Sequence, residues 1–342
     1  MQIIVNTKHE LHQSPGELTY DGWVPAFEKP ERAELVLVRA KEVGLGPVTP
    51  EIPHDVADIL RVHDANMVTL LQSAASEWAA LGRSGGAMPF TWATRGMRED
   101  RVPKSLDGRL SYYCFDAACP LMPTSWEAIK ASADTALTAA DLISAGAASA
   151  FALCRPPGHH AGSDHYGGYC FLNNAAIAAQ KLLDKGAARI AILDVDYHHG
   201  NGTQQIFYAR NDVLVVNLHG DPDSEYPFRL GYADEPGAGA GEGFNLNVPL
   251  PPGTAWPVYC AALSAGLKRI EEYSPDVVLV SLGVDTFKDD PISKFKLEHE
   301  DYLRMGAAIK FLNKPTLFVM EGGYAVAEIG INAVNVLAGF LA

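Results

Sequence analysis

The stretch RIAILDVDYHHGNGT, Arg189 to Thr203, decides the fold. It opens as an apolar run and then sets two aspartates, two histidines and two glycines within nine residues. RIAILD has no polar alternation, so it reads as a strand buried on both faces. Acid and imidazole at the end of such a strand face the edge where open α/β sheets bind ligands. The pattern recurs. SAFALC, Ser149 to Cys154, runs into RPPGHHAG with His159 and His160; VVLVSL, from Val277, runs into GVDTF with Asp285; TLFVM, from Thr316, runs into EGGY with Tyr324. VLVVNL, from Val213, is a further buried run, and NLNVPL a short strand in an otherwise Gly- and Pro-rich segment. Between the runs, T-x-x-E at Thr124 to Glu127 predicts a capping box opening an Ala-rich helix that ends near Gly146. Asn174 to Lys185 predicts a helix stopped by Gly186. Strands alternating with helices predict an α/β fold with a mostly parallel sheet between helical layers.

The chain has 342 residues and 48% hydrophobic content, enough for one large α/β domain, 1–342, without internal repeat or linker. Leu81 to Met122 mixes Gly, Pro and charge and reads as an insertion or extended loop. A formal net charge of -14 argues against a phosphate lattice, so no nucleic acid is expected, and it favours cationic partners. The five cysteines form no CxxC pair, which predicts a reducing, cytoplasmic setting rather than a disulfide framework. No apolar run is long enough to cross a bilayer, so no membrane partner is expected.

The polar residues sort by chemistry. Asp196 and His198, two apart on an extended strand end, point to one side and can share a cation, with Asp285 as third ligand. Two carboxylates and an imidazole suit zinc, iron(II) or manganese, and leave a position for water or substrate. Asp194 shares that side and can orient a histidine or hold a monovalent ion. The His159-His160 pair offers a general base and a general acid, and Tyr324 offers a hydroxyl to a developing oxyanion. Together these describe hydrolysis of an amide or ester. Singly, each has a plainer reading: a strand-end Asp caps a helix, and EGGY is a turn. Their joint occurrence at successive strand ends favours the catalytic one. His199, on the opposite parity, reads as structural.

PPGHHA, DVDYHHGNGT, GVDTF and EGGY, in this order, resemble the zinc-dependent deacetylase family that includes histone deacetylases. The stretch GELTYDGWVPAFEKPERAE, the YYC at Tyr112 to Cys114 and LGYADEPGAGAG are similar to its acetylpolyamine amidohydrolase branch. The resemblance implies the arginase-deacetylase fold, with a parallel sheet of about eight strands. It makes Asp196, His198 and Asp285 the zinc ligands, His160 the main base and acid, His159 its electrostatic support partnered by Asp194, and Tyr324 the carbonyl-polarising group. Asn201 takes the position that orients His160, where some relatives carry Asp. Tyr169, Tyr226 and Ile292 match the walls and rim of a narrow tunnel, and Glu17, Asp107 and Asp116 match or accompany acids near its mouth. Ala118 stands where a relative has another acid. A potassium ion near Asp194 is implied, with Asn217 where relatives often have Ser; Gly283 disfavours a second metal. A segment at about 82–118 resembles an insertion that pairs two copies, so a homodimer is expected. The expected activity is removal of acetyl groups from N-acetylated polyamines or similar small cationic amines. The alternatives are a deacetylase of acetyl-lysine in peptides and a non-catalytic acyl-amine binding protein.

Overall fold

The computed structural model describes residues 1–19 and 22–342; Tyr20 and Asp21, inside the GELTYDGW stretch, lie outside the described residues. Its strands are β1 (Gln2–Val5), β2 (Glu17–Thr19), β3 (Gly22–Val24), β4 (Val48–Pro50), β5 (Ser149–Leu153), β6 (Ile190–Asp194), β7 (Val213–Gly220), β8 (Asn245–Leu250), β9 (Val277–Leu282) and β10 (Thr316–Met320). Eight of them form one sheet in the order β4-β1-β5-β10-β9-β6-β7-β8, and β2 and β3 form a separate hairpin. Every pairing in the large sheet is parallel. The α/β reading, with a mostly parallel sheet of eight strands, is therefore the observed architecture.

Alternation along each strand feeds two cores. Ala191, Leu193, Val278, Val280 and Phe318 face the helices Glu31–Glu42, Trp256–Tyr273, His299–Lys310 and Val326–Leu341. Ile190, Ile192, Val277, Leu279 and Val319 face Ser125–Ser144 and Asn174–Asp184, whose alanines let these helices lie close to the strands. Burial on both faces is why these runs carry no polar alternation.

The sheet order places the site. β5, β10, β9 and β6 are neighbours, so their four polar clusters meet at one edge of the sheet. All the strands being parallel, every cluster follows a carboxyl end.

Two local expectations change and one holds. The capping box at Thr124 does not form: the Thr124 hydroxyl donates to Leu11 O at 2.6 Å, tying the helix start to the N-terminal segment instead. NLNVPL forms the expected short strand, β8, paired along β7 at the sheet edge. The Leu81 to Met122 segment is not all loop. Helix Leu106–Tyr113 starts at Ser105, whose Oγ accepts from Gly108 N, and buries Leu106, Leu110 and Tyr113 at one-turn spacing in a third core.

Candidate active site

Asp196, His198 and Asp285 converge beyond β6 and β9, with their ligand atoms all within 4.8 Å of one another. All three are buried. Backbone amides fix the carboxylates: Asp196 accepts from His198 N at 2.9 Å and Gly322 N at 2.8 Å, and Asp285 accepts from Tyr197 N at 2.7 Å. His198 Nδ1 points inward, 2.9 Å from Asp285 Oδ2 and 3.4 Å from Asp196 Oδ1. A methyl group on Gly283 or Gly322 would overlap Asp196 Oδ2, so only glycine lets these loops close over the acid.

The electrostatics suit a cation. Burial and the neighbouring Asp196 push the Asp285 carboxyl up to about 8. Burial opposes charge on His198 as well, yet its bonds to Asp196 and Asp285 raise it to about 10. Protons are held tightly where a divalent ion would displace them, and two carboxylates with one imidazole are a zinc-type donor set. The residues present fit such an ion.

The histidine pair sits beside this triad, and its two members have different partners. His159 Nδ1 lies 3.1 Å from Asp194 Oδ2. Burial would lower its pKa, but Asp196 and Asp194 raise it to about 10. His160 Nδ1 lies 2.7 Å from Asn201 Oδ1, and Asn201 Nδ2 donates back to His160 O at 3.3 Å. That second bond orients the amide with its oxygen toward the ring, so His160 carries its proton on Nδ1 and keeps a lone pair on Nε2. Burial, His159 and His198 hold it well below the usual histidine range. One imidazole is thus held as a cation and the other as a neutral ring.

Tyr324 follows β10 and is buried. Its backbone N donates to Asp290 Oδ2 at 2.7 Å, and the Arg32 guanidinium lies 4.7 Å from its ring centroid. Arg32 also donates to Gly323 O and Glu321 O, both at 2.6 Å, and to Glu28 Oε1 at 2.9 Å. Arg155 completes the group, donating to Glu28 from Nε at 2.8 Å and Nη2 at 3.0 Å. Burial, above all, holds the Tyr324 phenol protonated well above its ordinary range.

A pocket of about 320 Å³ opens onto these groups; His160, His198 and Tyr324 are among its lining, as are Tyr169, Tyr226 and Ile292. Tyr226 donates to Asp116 Oδ2 at 2.8 Å, and Gly168 N donates to the same oxygen at 2.7 Å. Asp116 therefore ties two walls together. Glu17 also lines the pocket; burial raises its pKa, and Phe27 N donates to its Oε1 at 3.1 Å. Asp107 lies elsewhere, paired with Arg83 through both carboxylate oxygens and outside the pocket of its own chain. His199 turns away, its Nε2 3.0 Å from Gln204 Oε1 and 3.2 Å from Asn247 Oδ1.

Residues 26–340 match the histone deacetylase domain. The chain belongs to the histone deacetylase family. Among relatives of this deacetylase chain, acetylpolyamine amidohydrolase 2 of Pseudomonas aeruginosa is 55% identical over 340 residues, covering 99% of this chain and 98% of that one. Acetylpolyamine amidohydrolase of Mycoplana ramosa is 49% identical over 339 residues, with 99% of each chain covered. The crystal structure of acetylpolyamine aminohydrolase from Burkholderia pseudomallei superposes with a TM-score of 0.95 at 38% identity, covering 100% of this chain and 99% of that chain.

Residues that hold this deacetylase site together escaped the sequence reading. Glu28 and Arg32, four residues apart, form a buried charge group with Arg155, which comes from more than a hundred residues further along the chain and which no local spacing ties to the pair. Asp290 and Glu321 stood beside quoted motifs, and the acid of EGGY was in plain view. Asp290 accepts from Tyr324 N, Ala325 N and Ile292 N; burial raises its carboxyl to about 6.

Proposed function

We propose that this deacetylase-family chain hydrolyses N-acetylated polyamines and similar small cationic amines, releasing acetate and the free amine. The observation that carries this reading is the pocket of about 320 Å³, with His160, His198 and Tyr324 in its wall and the Glu17 carboxylate in the same lining. Full-length relatives at 49 and 55% identity are acetylpolyamine amidohydrolases by name, which supports the same substrate class.

A single divalent ion held by Asp196, His198 and Asp285, zinc in this proposal with iron(II) or manganese as alternatives, would supply Lewis-acid polarisation of the amide carbonyl and acidify water. His160 Nε2 takes the proton from the attacking water and passes it to the departing amine nitrogen. His159, held cationic by Asp194, stabilises negative charge accumulating beside it. The Tyr324 hydroxyl donates to the oxyanion of the tetrahedral intermediate. Tyr169, Tyr226 and Ile292 confine a thin acyl-amine chain, and Glu17 pairs with its distal ammonium. Asp116 acts by holding Tyr226 in place.

Further parts of the proposal concern the setting. A potassium ion beside Asp194 would use that region's oxygens, with Asn217 Oδ1 already accepting from Gly200 N at 3.3 Å. Exposed Phe90, Trp92 and Met97 in the segment 82–118 support a homodimer formed there. Among the described residues no helix is long and apolar enough to cross a membrane; a cytoplasmic setting is proposed from the unpaired cysteines.

The test is a panel of acetylputrescine, acetylcadaverine, acetylspermidine and an acetyl-lysine peptide, with the zinc-loaded protein. Turnover of an acetylated amine faster than of the peptide is expected. Faster turnover of the peptide would transfer the reading to protein deacetylation, and no turnover at all would remove it.

A further inference from the structure

We infer that Glu321 is a positioning residue that sets the two active-site histidines through their backbone, an inference that rests on the hydrolase reading above. Glu321 directly follows β10 and its side chain is fully buried. One carboxylate oxygen, Oε2, accepts from Gly158 N at 2.7 Å and from His159 N at 3.1 Å. These are the amides of the turn that carries the histidine pair. The His159 carbonyl accepts in turn from Gly202 N at 3.0 Å and Thr203 N at 3.2 Å, and its ring is held by Asp194. His159 is thereby fixed on three sides, from the segment after β10, from the last residue of β6 and from helix Asn201–Phe207.

The clamp extends to His160, which follows immediately in the chain. A shift of the turn carries the His160 ring with it, out of the 2.7 Å bond to Asn201 Oδ1 that fixes which nitrogen keeps the lone pair. Glu321 itself is held: its N donates to Leu282 O at 3.0 Å and its carbonyl accepts from Arg32. The same turn of chain sends Gly322 N to Asp196 Oδ2 at 2.8 Å. Glu321 thus links the histidine turn to the segment that holds the Asp196 carboxylate.

The carboxyl is an odd choice for packing alone. Its second oxygen, Oε1, is buried without a bond to any described protein group. An apolar side chain of the same length would avoid that unbonded oxygen but would leave two buried amides without an acceptor. The residue type is therefore matched to the turn and not to the core around it.

Three variants separate the roles. Glu321→Gln keeps an acceptor for both amides; Glu321→Met keeps the shape without the acceptor; Glu321→Asp draws the acceptor back by one methylene. The readouts are kcat and KM per zinc-loaded molecule on acetylputrescine, and hydrogen exchange of the Gly158 and His159 amides in the metal-free protein. Expected are a fall in kcat of at least about tenfold for Met with KM little changed, an intermediate fall for Asp, near-full rescue by Gln, and faster exchange in Met than in Gln. If Met does not fold, Asp against Gln decides the matter with the same readouts. Unchanged exchange in Met and Asp would overturn the clamp. Faster exchange with unchanged kcat would reduce Glu321 to a structural residue and overturn the inference. An inactive wild type whose two amides are protected by Glu321 would instead sink the hydrolase reading while leaving the clamp in place.

Discussion

Glu28→Gln removes the negative charge shared by Arg32 and Arg155 and should be felt far from its own position. Glu28, Arg32 and Arg155 are 4, 3 and 1% exposed, so little water reaches them. Three guanidinium bonds of 2.8 to 3.0 Å end on the Glu28 carboxylate. An amide in its place offers one oxygen and turns an NH2 group toward a second donor, leaving two buried cations short of a counter-charge. Breaking such a pair costs about 3–5 kcal/mol. With an unfolding entropy of about 2.1 cal/mol/K per residue over 342 residues, that corresponds to a Tm drop of about 4–7 °C. Arg32 also holds the carbonyls on either side of Gly322 and lies over Tyr324, so kcat should fall together with Tm. Scanning calorimetry and steady-state kinetics of the zinc-loaded variant measure both. A Tm within about 1 °C of wild type would refute the claim that this network is desolvated and stabilising. Its pH dependence has a defined sign. Burial alone would raise the Glu28 carboxyl, but Arg155 and Arg32 hold it below its ordinary value. Its contribution is present above the unfolded carboxylate pKa and is lost as pH falls through the lower folded one.

Gly283→Ala should weaken zinc about 10- to 100-fold in a chelator competition, because its methyl displaces the Asp196 carboxylate; wild-type affinity would refute the cradle. His63 is neutral and buried, accepting from Asn173 N at 2.9 Å, and burial pushes its pKa down to about 4. The unfolded chain therefore binds the extra proton first, and stability falls as pH drops from the unfolded histidine value toward 4. Between pH 8 and pH 5 this one group should cost roughly 2 kcal/mol in urea titrations, and His63→Gln should flatten the profile by that amount. Glu17→Gln should raise KM for acetylputrescine by about tenfold or more through loss of a half-desolvated charge contact. Asp107→Asn, which alters only a partly exposed ion pair with Arg83, should leave KM within about twofold. Equal effects of these two changes would refute the placement of Glu17 inside the pocket and Asp107 outside it.

The sequence by itself determined the strands that carry chemistry and most of the groups they present. RIAILD, SAFALC, VVLVSL and TLFVM are legible because burial on both faces of a parallel sheet demands unbroken apolar runs. DVDYHH, PPGHH, GVDTF and EGGY stand out because they recur together at the ends of successive buried runs, where any one of them alone has an ordinary structural reading. Gly146 and Gly186 marked helix ends correctly, both lying at positive φ. Tertiary structure alone decided the rest. The order β5-β10-β9-β6 brings four distant clusters to one edge, and strand order is not written in any local pattern. Thr124 matched a capping box but bonds to Leu11 instead, since a better partner arrived from the other end of the chain. The joining of Arg155 to the Glu28 and Arg32 pair, the Asp290 anchor under Tyr324 and the Glu321 clamp under the histidines are all long-range bonds to charges or backbone. Sequence spacing reports which groups share a face of one element; which groups neutralise each other between elements is settled only when the sheet closes and water is excluded.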